Sequence, residues 1–193
     1  PSCVGIYLLS KEARKHVKVV LSGEGSDELF GGYNIYKEYY SLKPFSYLPE
    51  VIKYEVNKVA KKLPDIKGKN YLLRGTTKLK DRYIGNAKIF SNEEVKNMVY
   101  DYDEKNTYSD ILAKLYKECD KNNYDSVTTM QYIDINTWLE GDILLKADKM
   151  SMAHSLELRV PFLDTEVLKC AEKLSLAQKV SKKNIEKCPS ILY

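Results

Sequence analysis

The order of apolar and polar positions at the start of the chain predicts a helix followed by a strand. Residues 4–16 (VGIYLLSKEARKH) place apolar side chains first and basic side chains last, which favours a helix. Residues 17–22 (VKVVLS) form a short run rich in β-branched side chains, which favours an interior strand. A single strand would leave both of its edges unpaired. We therefore expect further strands of an α/β domain upstream of this chain.

A glycine-rich turn follows the predicted strand. Gly23 and Gly25 interrupt regular structure, and Ser26 or Asp27 is suited to cap a short helix that ends near residues 31–32, a Gly-Gly pair. A strand, a glycine turn and a helix occur in this order in phosphate-binding loops. Together with the first helix, this order is typical of half of a parallel α/β unit.

Helical spacing of apolar residues dominates the rest of the chain. Residues 49–64 place Ile52, Val56, Val59 and Leu63 on one helical face between two prolines. Further helices are predicted at 91–99 (with Ser91 and Glu94 as a capping box), at 108–119, at 125–157 (one long helix or two joined near Gly141) and from an N-cap at Asp164. After its opening unit the chain is expected to be mainly helical.

Composition narrows the class of protein. The chain has 193 residues, of which 44% are apolar and 30% charged, as in ordinary globular domains. It contains no apolar run of 18 residues, so no membrane span is expected. The net charge of +4 comes from scattered basic clusters that resemble solvated helix faces, and nucleic-acid binding is not expected.

The cysteines and histidines do not form a metal motif. Cys3, Cys119, Cys170 and Cys188 contain no CxxC pair, and the chain has only two histidines. These spacings do not fit a zinc site. Free thiols in a reducing cytoplasm are the simplest interpretation.

The glycine turn carries carboxylates where phosphate-binding loops usually carry a lysine or an arginine. The positive end of a helix dipole accounts for Glu28 and adequately for Asp27, but not for Glu24 inside the turn. A divalent cation offers a second explanation, because Mg²⁺ binds one or two carboxylates together with phosphate oxygens. From the residues alone, a structural role and a Mg-pyrophosphate site are equally favoured.

Two long motifs carry a family resemblance. The stretch LSGEGSDELFGGY (21–33) and the stretch GDILLKADKMSMAHSLELRVPFLD (141–164) closely resemble the glutamine-hydrolysing asparagine synthetases, in the family's order. The resemblance covers residues 1–180, and residues 181–193 form an atypical tail. It implies part of a synthetase domain of the ATP-pyrophosphatase type, an α/β fold with a Rossmann-like parallel sheet. This chain would be its mainly helical part, with one or a few strands near the N-terminus.

The resemblance also implies a cytoplasmic enzyme that uses ATP and Mg²⁺. Aspartate would be adenylated to β-aspartyl-AMP, and ammonia from glutamine hydrolysis in a separate N-terminal domain would then displace AMP. The resemblance also allows a homodimer. No nucleic-acid or membrane partner is expected.

Site roles are carried over by position. Ser22 and Gly23 match the pair that contacts ATP, and Glu24 matches the residue tied to formation and consumption of the intermediate. Asp27 matches a Mg²⁺ ligand. Asp142 resembles a second acidic position near the intermediate and is assigned to catalysis with Glu24.

Other residues of the second motif receive supporting roles. A charged group either lines the site or forms a solvated helix face, namely Lys146, Asp148 and Lys149. A salt bridge is expected between Glu157 and Arg159. Packing in the core is expected for Val160, Phe162 and Leu163, and His154 is expected to be a packed histidine.

The chain departs from the family in three features. It carries neither a glutaminase domain nor the family's SGGxDS pyrophosphate loop, and its end, IEKCPSILY, differs from the family's lysine-bearing segment. The chain by itself is therefore expected to be inactive. Two alternatives to asparagine formation stay open, namely a related amidotransferase acting on a sugar acid and a truncated remnant that only binds a partner chain. Glu24 argues against the β-lactam-forming branch, which carries tyrosine there.

Overall fold

Helices account for most of the chain in a computed structural model, which describes residues 2–86, 90, 92–102 and 108–180. The α-helices are α1 (Ser2–Ala13), α2 (Ser26–Phe30), α3 (Glu38–Ser41), α4 (Lys43–Ser46), α5 (Glu50–Lys62), α6 (Lys69–Thr76), α7 (Leu79–Arg82), α8 (Asn92–Met98), α9 (Tyr108–Lys121), α10 (Ser126–Asp134), α11 (Leu145–Met152), α12 (Thr165–Glu172) and α13 (Leu176–Lys179). Asn34–Lys37 and Pro161–Leu163 form 3₁₀ turns, and Ile135–Leu144 forms a π-helix. Residues 181–193, which were expected to form an atypical tail, lie outside the described residues.

Two short parallel strands form the sheet of the described ranges. Strand β1 (Val19–Leu21) pairs with β2 (Glu157–Arg159), with Val19 opposite Glu157. The ladder continues past β1, where the Ser22 amide donates to the Arg159 carbonyl at 2.8 Å. Strand β1 confirms the prediction at 17–22, whereas β2 was not predicted. The pairing places the start of the glycine turn beside the start of the RVPFLD segment.

The expectation that β1 is an interior strand is wrong for the described residues. Val19 and Leu21 are 42% and 73% exposed. Only one edge of β1 is paired within the described part of the chain. Burial of an apolar strand requires neighbours on both edges and faces, and the described residues supply one three-residue partner.

The segment predicted as one helix or two, at 125–157, is a single continuous helix as far as residue 152. The predicted end is wrong, because Glu157 is instead the first residue of strand β2. Helix α10, the π-helix Ile135–Leu144 and helix α11 follow one another without a break, and Gly141 lies within the π-helix. The Asp125 side chain caps the start by accepting from the amides of Val127 and Thr128. We call this run, residues 126–152, the long helix. Helix α1 packs against its last part, α11.

The core lies between the middle helices and is rich in tyrosine. Its buried members are Tyr36, Tyr83, Leu112, Tyr116, Val127, Met130, Ile133 and Val180. Tyrosine can fill a core when its hydroxyl finds a partner. Three of the chain's tyrosines, Tyr36, Tyr83 and Tyr116, are buried in this core.

A fully buried carboxylate supplies one of those partners. Asp134 accepts hydrogen bonds from the hydroxyls of Tyr36 (2.7 Å) and Tyr83 (2.5 Å) and from the backbone and side-chain nitrogens of Asn86 (2.9 and 3.1 Å). Burial raises the pKa of Asp134, and these hydrogen bonds oppose the rise. The long helix is thereby tied to the segments at residues 36 and 83–86.

Several predicted helix boundaries are confirmed. Helix α5 lies between its two prolines, although Ile52 and Val59 are exposed and Ala60 is its buried residue. The Asp164 side chain caps α12 by accepting from the Glu166 amide at 2.8 Å. The predicted cap of α8 at Ser91 lies outside the described residues.

The described cysteines are free thiols, with Cys119 buried and Cys3 and Cys170 exposed. The ring of His154 packs against Tyr7, with 4.3 Å between ring centroids, as expected of a packed histidine. Within the described ranges, no helix is both long enough and apolar enough to cross a bilayer.

Candidate active site

The glycine turn is shaped by a close contact with the second motif. Gly25 has a φ of 89° and forms the N-cap of α2. A Cβ atom at this position would lie 2.3 Å from Cδ2 of Leu163. The positive φ favours glycine here, and any larger residue would also require the Leu163 side chain to move. The turn is therefore closed against the 3₁₀ turn Pro161–Leu163.

Ser22 and Gly23 lie at the carboxyl end of β1, as the resemblance implies. Ser22 is held by its backbone hydrogen bond to β2. Gly23 faces open space, because a Cβ atom there would meet no heavy atom within 4 Å. The backbone at Gly23 is thus accessible to a ligand, and no neighbouring side chain explains why the residue is glycine.

The three carboxylates of the turn lie in different environments. Glu28 is buried, and its Oε1 atom accepts a hydrogen bond from the Tyr33 hydroxyl at 2.7 Å. Burial raises the pKa of Glu28, and the tyrosine hydrogen bond opposes the rise. Glu24 is half-buried and Asp27 is exposed. Glu28 therefore has a structural partner, while the other two side chains are accessible.

The interpretation of Ser26 or Asp27 as a helix cap is wrong. Helix α2 starts at Ser26, and its N-cap, Gly25, makes no side-chain capping bond. The Asp27 carboxyl instead lies beside Gly32, where a Cβ atom would approach its Oδ1 atom to 1.9 Å. Partial loss of water around the Asp27 carboxyl raises its pKa. The Asp27 side chain is exposed, its carboxyl is only partly desolvated, and it has no capping role.

Asp142 projects from the π-helix and is paired with a lysine. The Lys146 Nζ atom lies 2.8 Å from Asp142 Oδ2. The Asp142 side chain is 45% exposed, whereas that of Lys146 is 12% exposed. The same Nζ atom lies 5.8 Å from the centroid of the Trp138 ring, within cation–π range. Of the three charged residues considered for the site, Asp148 and Lys149 are exposed on the helix.

Contacts with the long helix connect α2 and Tyr33, which follow the glycine turn, to the helix that carries Asp142. The Gln131 side chain donates to the carbonyls of Glu28 (2.6 Å) and Leu29 (3.1 Å). The indole Nε1–H of Trp138 donates to the Tyr33 hydroxyl at 3.3 Å. The sequence reasoning did not identify Tyr33, Trp138 or Gln131. The available signals were that Trp138 is the only tryptophan of the chain and that Tyr33 ends the first motif.

The remaining residues of the second motif support the turn. Glu157 and Arg159 form an exposed ion pair at 2.8 Å, as expected. Val160, Phe162 and Leu163 are half-buried rather than fully buried. The Phe162 ring meets the ring of Phe30 edge-on, with 6.1 Å between centroids.

A metal ion at the glycine turn would need further ligands from a bound nucleotide or from water. Among the described residues there is no group of three or more His, Cys, Asp or Glu side chains that could hold a metal ion. Mg²⁺ commonly takes only one or two protein carboxylates and completes its shell with phosphate oxygens and water. The exposed carboxyl of Asp27, which makes no helix-capping bond, fits such a site.

Comparison with known proteins identifies similar sequences over nearly the whole chain. The sequence model of the family described as "asparagine synthase" matches residues 1–189. The chain is 51% identical over 175 residues to "asparagine synthetase (glutamine-hydrolyzing) 1" of Bacillus subtilis, covering 90% of the chain and 27% of that relative. It is 49% identical over 183 residues to a "putative asparagine synthetase (glutamine-hydrolyzing)" of Mycobacterium tuberculosis, covering 94% of the chain and 28% of that relative.

A more distant relative has a similar name. The chain is 31% identical over 164 residues to a "putative asparagine synthetase (glutamine-hydrolyzing) 2" of Methanocaldococcus jannaschii, covering 81% of the chain and 30% of that relative. The chain thus spans less than a third of the length of these relatives. No solved structure matched the chain.

Proposed function

The chain belongs to the asparagine synthase family, and we propose that it is part of an enzyme that makes asparagine from aspartate with ATP. The names of its relatives support this reaction class. The observation that carries the assignment to these residues is the open face of Gly23 between a strand end and an accessible carboxylate, Glu24.

The nucleotide would bind at the end of β1. Ser22 and Gly23 present backbone groups there, and Gly23 leaves room for a phosphate to approach the main chain. Asp27 would hold Mg²⁺ together with the phosphates. Bound Mg²⁺ would neutralise charge on the pyrophosphate leaving group.

The chemistry has two steps. A carboxylate oxygen of aspartate attacks the α-phosphorus of ATP, and pyrophosphate leaves to give β-aspartyl-AMP. Ammonia then attacks the acyl carbon, loses a proton and displaces AMP. Glu24 is suited to accept that proton, because this half-buried residue directly follows the open Gly23 in the turn. Asp142 supplies a second carboxylate, oriented by Lys146 at 2.8 Å.

Ammonia would come from glutamine hydrolysis in a separate domain of the longer protein. The relatives' names, which include glutamine hydrolysis, support this source. We also infer a cytoplasmic location, where ATP and aspartate are available.

The test is Glu24→Ala in the full-length protein that carries this chain. Asparagine formation should fall by roughly 10²-fold or more, the usual contribution of a positioned acid or base. Glutamine hydrolysis should stay near the wild-type rate. Glu55→Ala, at an exposed position on α5, is the matched control and should change neither activity.

Three results would contradict the proposal. Asparagine formation at the wild-type rate in Glu24→Ala would remove Glu24 from the site. Release of AMP with a sugar acid but not with aspartate would favour the alternative amidotransferase. If neither acceptor supports AMP release by the wild-type protein, the remnant that only binds a partner chain becomes the better interpretation.

A further inference from the structure

Five side chains form an unbroken path between the two halves of the candidate site. Glu28 lies at one end, in helix α2 directly after the glycine turn, and Asp142 lies at the other end, in the π-helix. Tyr33, Trp138 and Lys146 lie between them. We call this path the Tyr33 bridge. It joins segments that are more than 100 residues apart in the sequence.

The hydrogen bonds of Tyr33 have a defined direction. A tyrosine hydroxyl has one proton to donate and lone pairs to accept with. It donates to Glu28 Oε1 at 2.7 Å and accepts from the Trp138 indole at 3.3 Å. An indole N–H can only donate, so the hydroxyl cannot exchange the two roles. Phenylalanine at this position would fill the same space and lose both bonds.

Lys146 connects Trp138 to Asp142 through a cation–π interaction and an ion pair. Its side chain is 12% exposed, and burying an ammonium group is costly without partners. The Asp142 carboxylate and the face of the Trp138 ring supply them. The position of Lys146 therefore depends on both residues, and the orientation of Asp142 depends on Lys146.

We propose that Tyr33 is a positioning residue that holds Asp142 at a fixed place relative to α2 and the glycine turn that precedes it. The functional part of this inference rests on the function proposed above. Two carboxylates on separate elements must face one acyl group in that reaction, and displacement by about 1 Å can cost a large part of the rate. Asp142 lies in a π-helix, a geometry that often marks functional sites. The bridge anchors this segment to the turn.

The structural coupling can be measured on the 193-residue chain without any ligand. Trp138 is the only tryptophan, so a ¹⁵N-labelled sample gives a single indole N–H resonance. Glu28→Gln should shift this resonance, and the shift should disappear in a Tyr33→Phe background. Asp142→Asn should also shift it, and that shift should disappear in a Lys146→Met background.

A matched control uses another tyrosine of the long helix, one whose hydroxyl contacts a different helix. Tyr132 lies on α10, and its hydroxyl contacts Glu118. In a Tyr132→Phe background, the Glu28→Gln shift should be retained. A Glu28→Gln shift that persists in Tyr33→Phe would overturn the bridge, as would an indole resonance that is unmoved by Asp142→Asn.

A second measurement covers the case in which a variant gives no usable spectrum. The losses in melting temperature for Tyr33→Phe and Asp142→Asn should be non-additive in the double variant, because residues in one network couple. Additive losses would contradict the bridge.

The functional readout separates the bridge from the proposed reaction. In the full-length protein, Tyr33→Phe should lower kcat for asparagine formation and leave the KM for ATP unchanged. Equal loss of kcat in Tyr33→Phe and Tyr132→Phe would overturn the positioning role. If the wild-type protein makes no asparagine while the indole coupling holds, the proposed function fails and the bridge remains as a structural coupling.

Discussion

Gly23 and Gly25 lie two residues apart in one turn, but substitution should affect them in opposite ways. Gly23→Ala meets no atom within 4 Å and should leave stability unchanged or raise it by about 0.4–1 kcal/mol through the unfolded chain. Gly25→Ala should cost at least about 1 kcal/mol, because of its positive φ and the contact with Leu163. Urea unfolding followed by Trp138 fluorescence measures both changes in the free energy of unfolding.

The same pair separates stability from ligand binding. In the full-length protein, Gly23→Ala should weaken binding of Mg-ATP although the fold is intact. Gly141→Ala is the control, since Gly141 also faces open space but lies outside the turn. Unchanged Mg-ATP affinity in Gly23→Ala would show that the open face is not the nucleotide site.

Asp27 should govern the Mg²⁺ requirement without affecting the fold. It makes no capping bond, so Asp27→Asn should unfold at the wild-type urea concentration. The Mg²⁺ concentration for half-maximal pyrophosphate release should rise about tenfold or more, because even outer partners of metal ligands contribute that much. Since the pKa of Asp27 is raised, protons should compete with Mg²⁺ at a higher pH than at an ordinary aspartate. Asp65→Asn, in an exposed loop, is the control; an unchanged Mg²⁺ requirement in Asp27→Asn would exclude this ligand.

At the scale of elements, Asp134 ties the long helix to the tyrosine core. In Asp134→Asn, an amide NH₂ group would face the hydroxyl and N–H donors that now bind a carboxylate oxygen. The free energy of unfolding should fall by about 1–3 kcal/mol at neutral pH. Because burial raises the pKa of Asp134, its contribution to stability is greatest in acid and falls as the pH rises from its ordinary value of 3.8 through the raised one. The wild-type protein should show this slope in the free energy of unfolding, and Asp134→Asn should lack it. A parallel slope in both proteins would contradict the assignment.

Some elements of the fold could be predicted from the sequence and others could not. The glycine turn, α5 and the Asp164 cap follow from local chemistry, and they were predicted. Strand β2 has only three residues, of which Glu157 and Arg159 are charged, so its pairing with β1 could not be read from its own composition. The contact of Trp138 with Tyr33 was also missed, because it depends on the path of the chain between these residues, which lie 105 positions apart, and not on local sequence.

At the scale of the whole molecule, the surface at β1 should drive self-association of the 193-residue chain. Val19 and Leu21 are exposed, and only one edge of β1 is paired within the described residues. Leu21→Lys should reduce the oligomer fraction in sedimentation velocity, because a lysine on a strand edge opposes pairing with another chain. Val51→Lys adds the same charge at an exposed site on α5 and should leave the oligomer fraction unchanged. Equal effects of the two variants would assign the association to net charge instead.

The parallel pairing of Val19 with Glu157 has a consequence for the order of folding. Helices such as α5 and α9 depend on neighbours in sequence and can form early, whereas the ladder must first close a very long loop. The glycine turn receives its contacts with Arg159 and Leu163 only when that loop has closed. During synthesis, the turn near the start of this chain therefore cannot reach its final shape until Leu163 has left the ribosome, and most of the intervening helices will have had time to form before it.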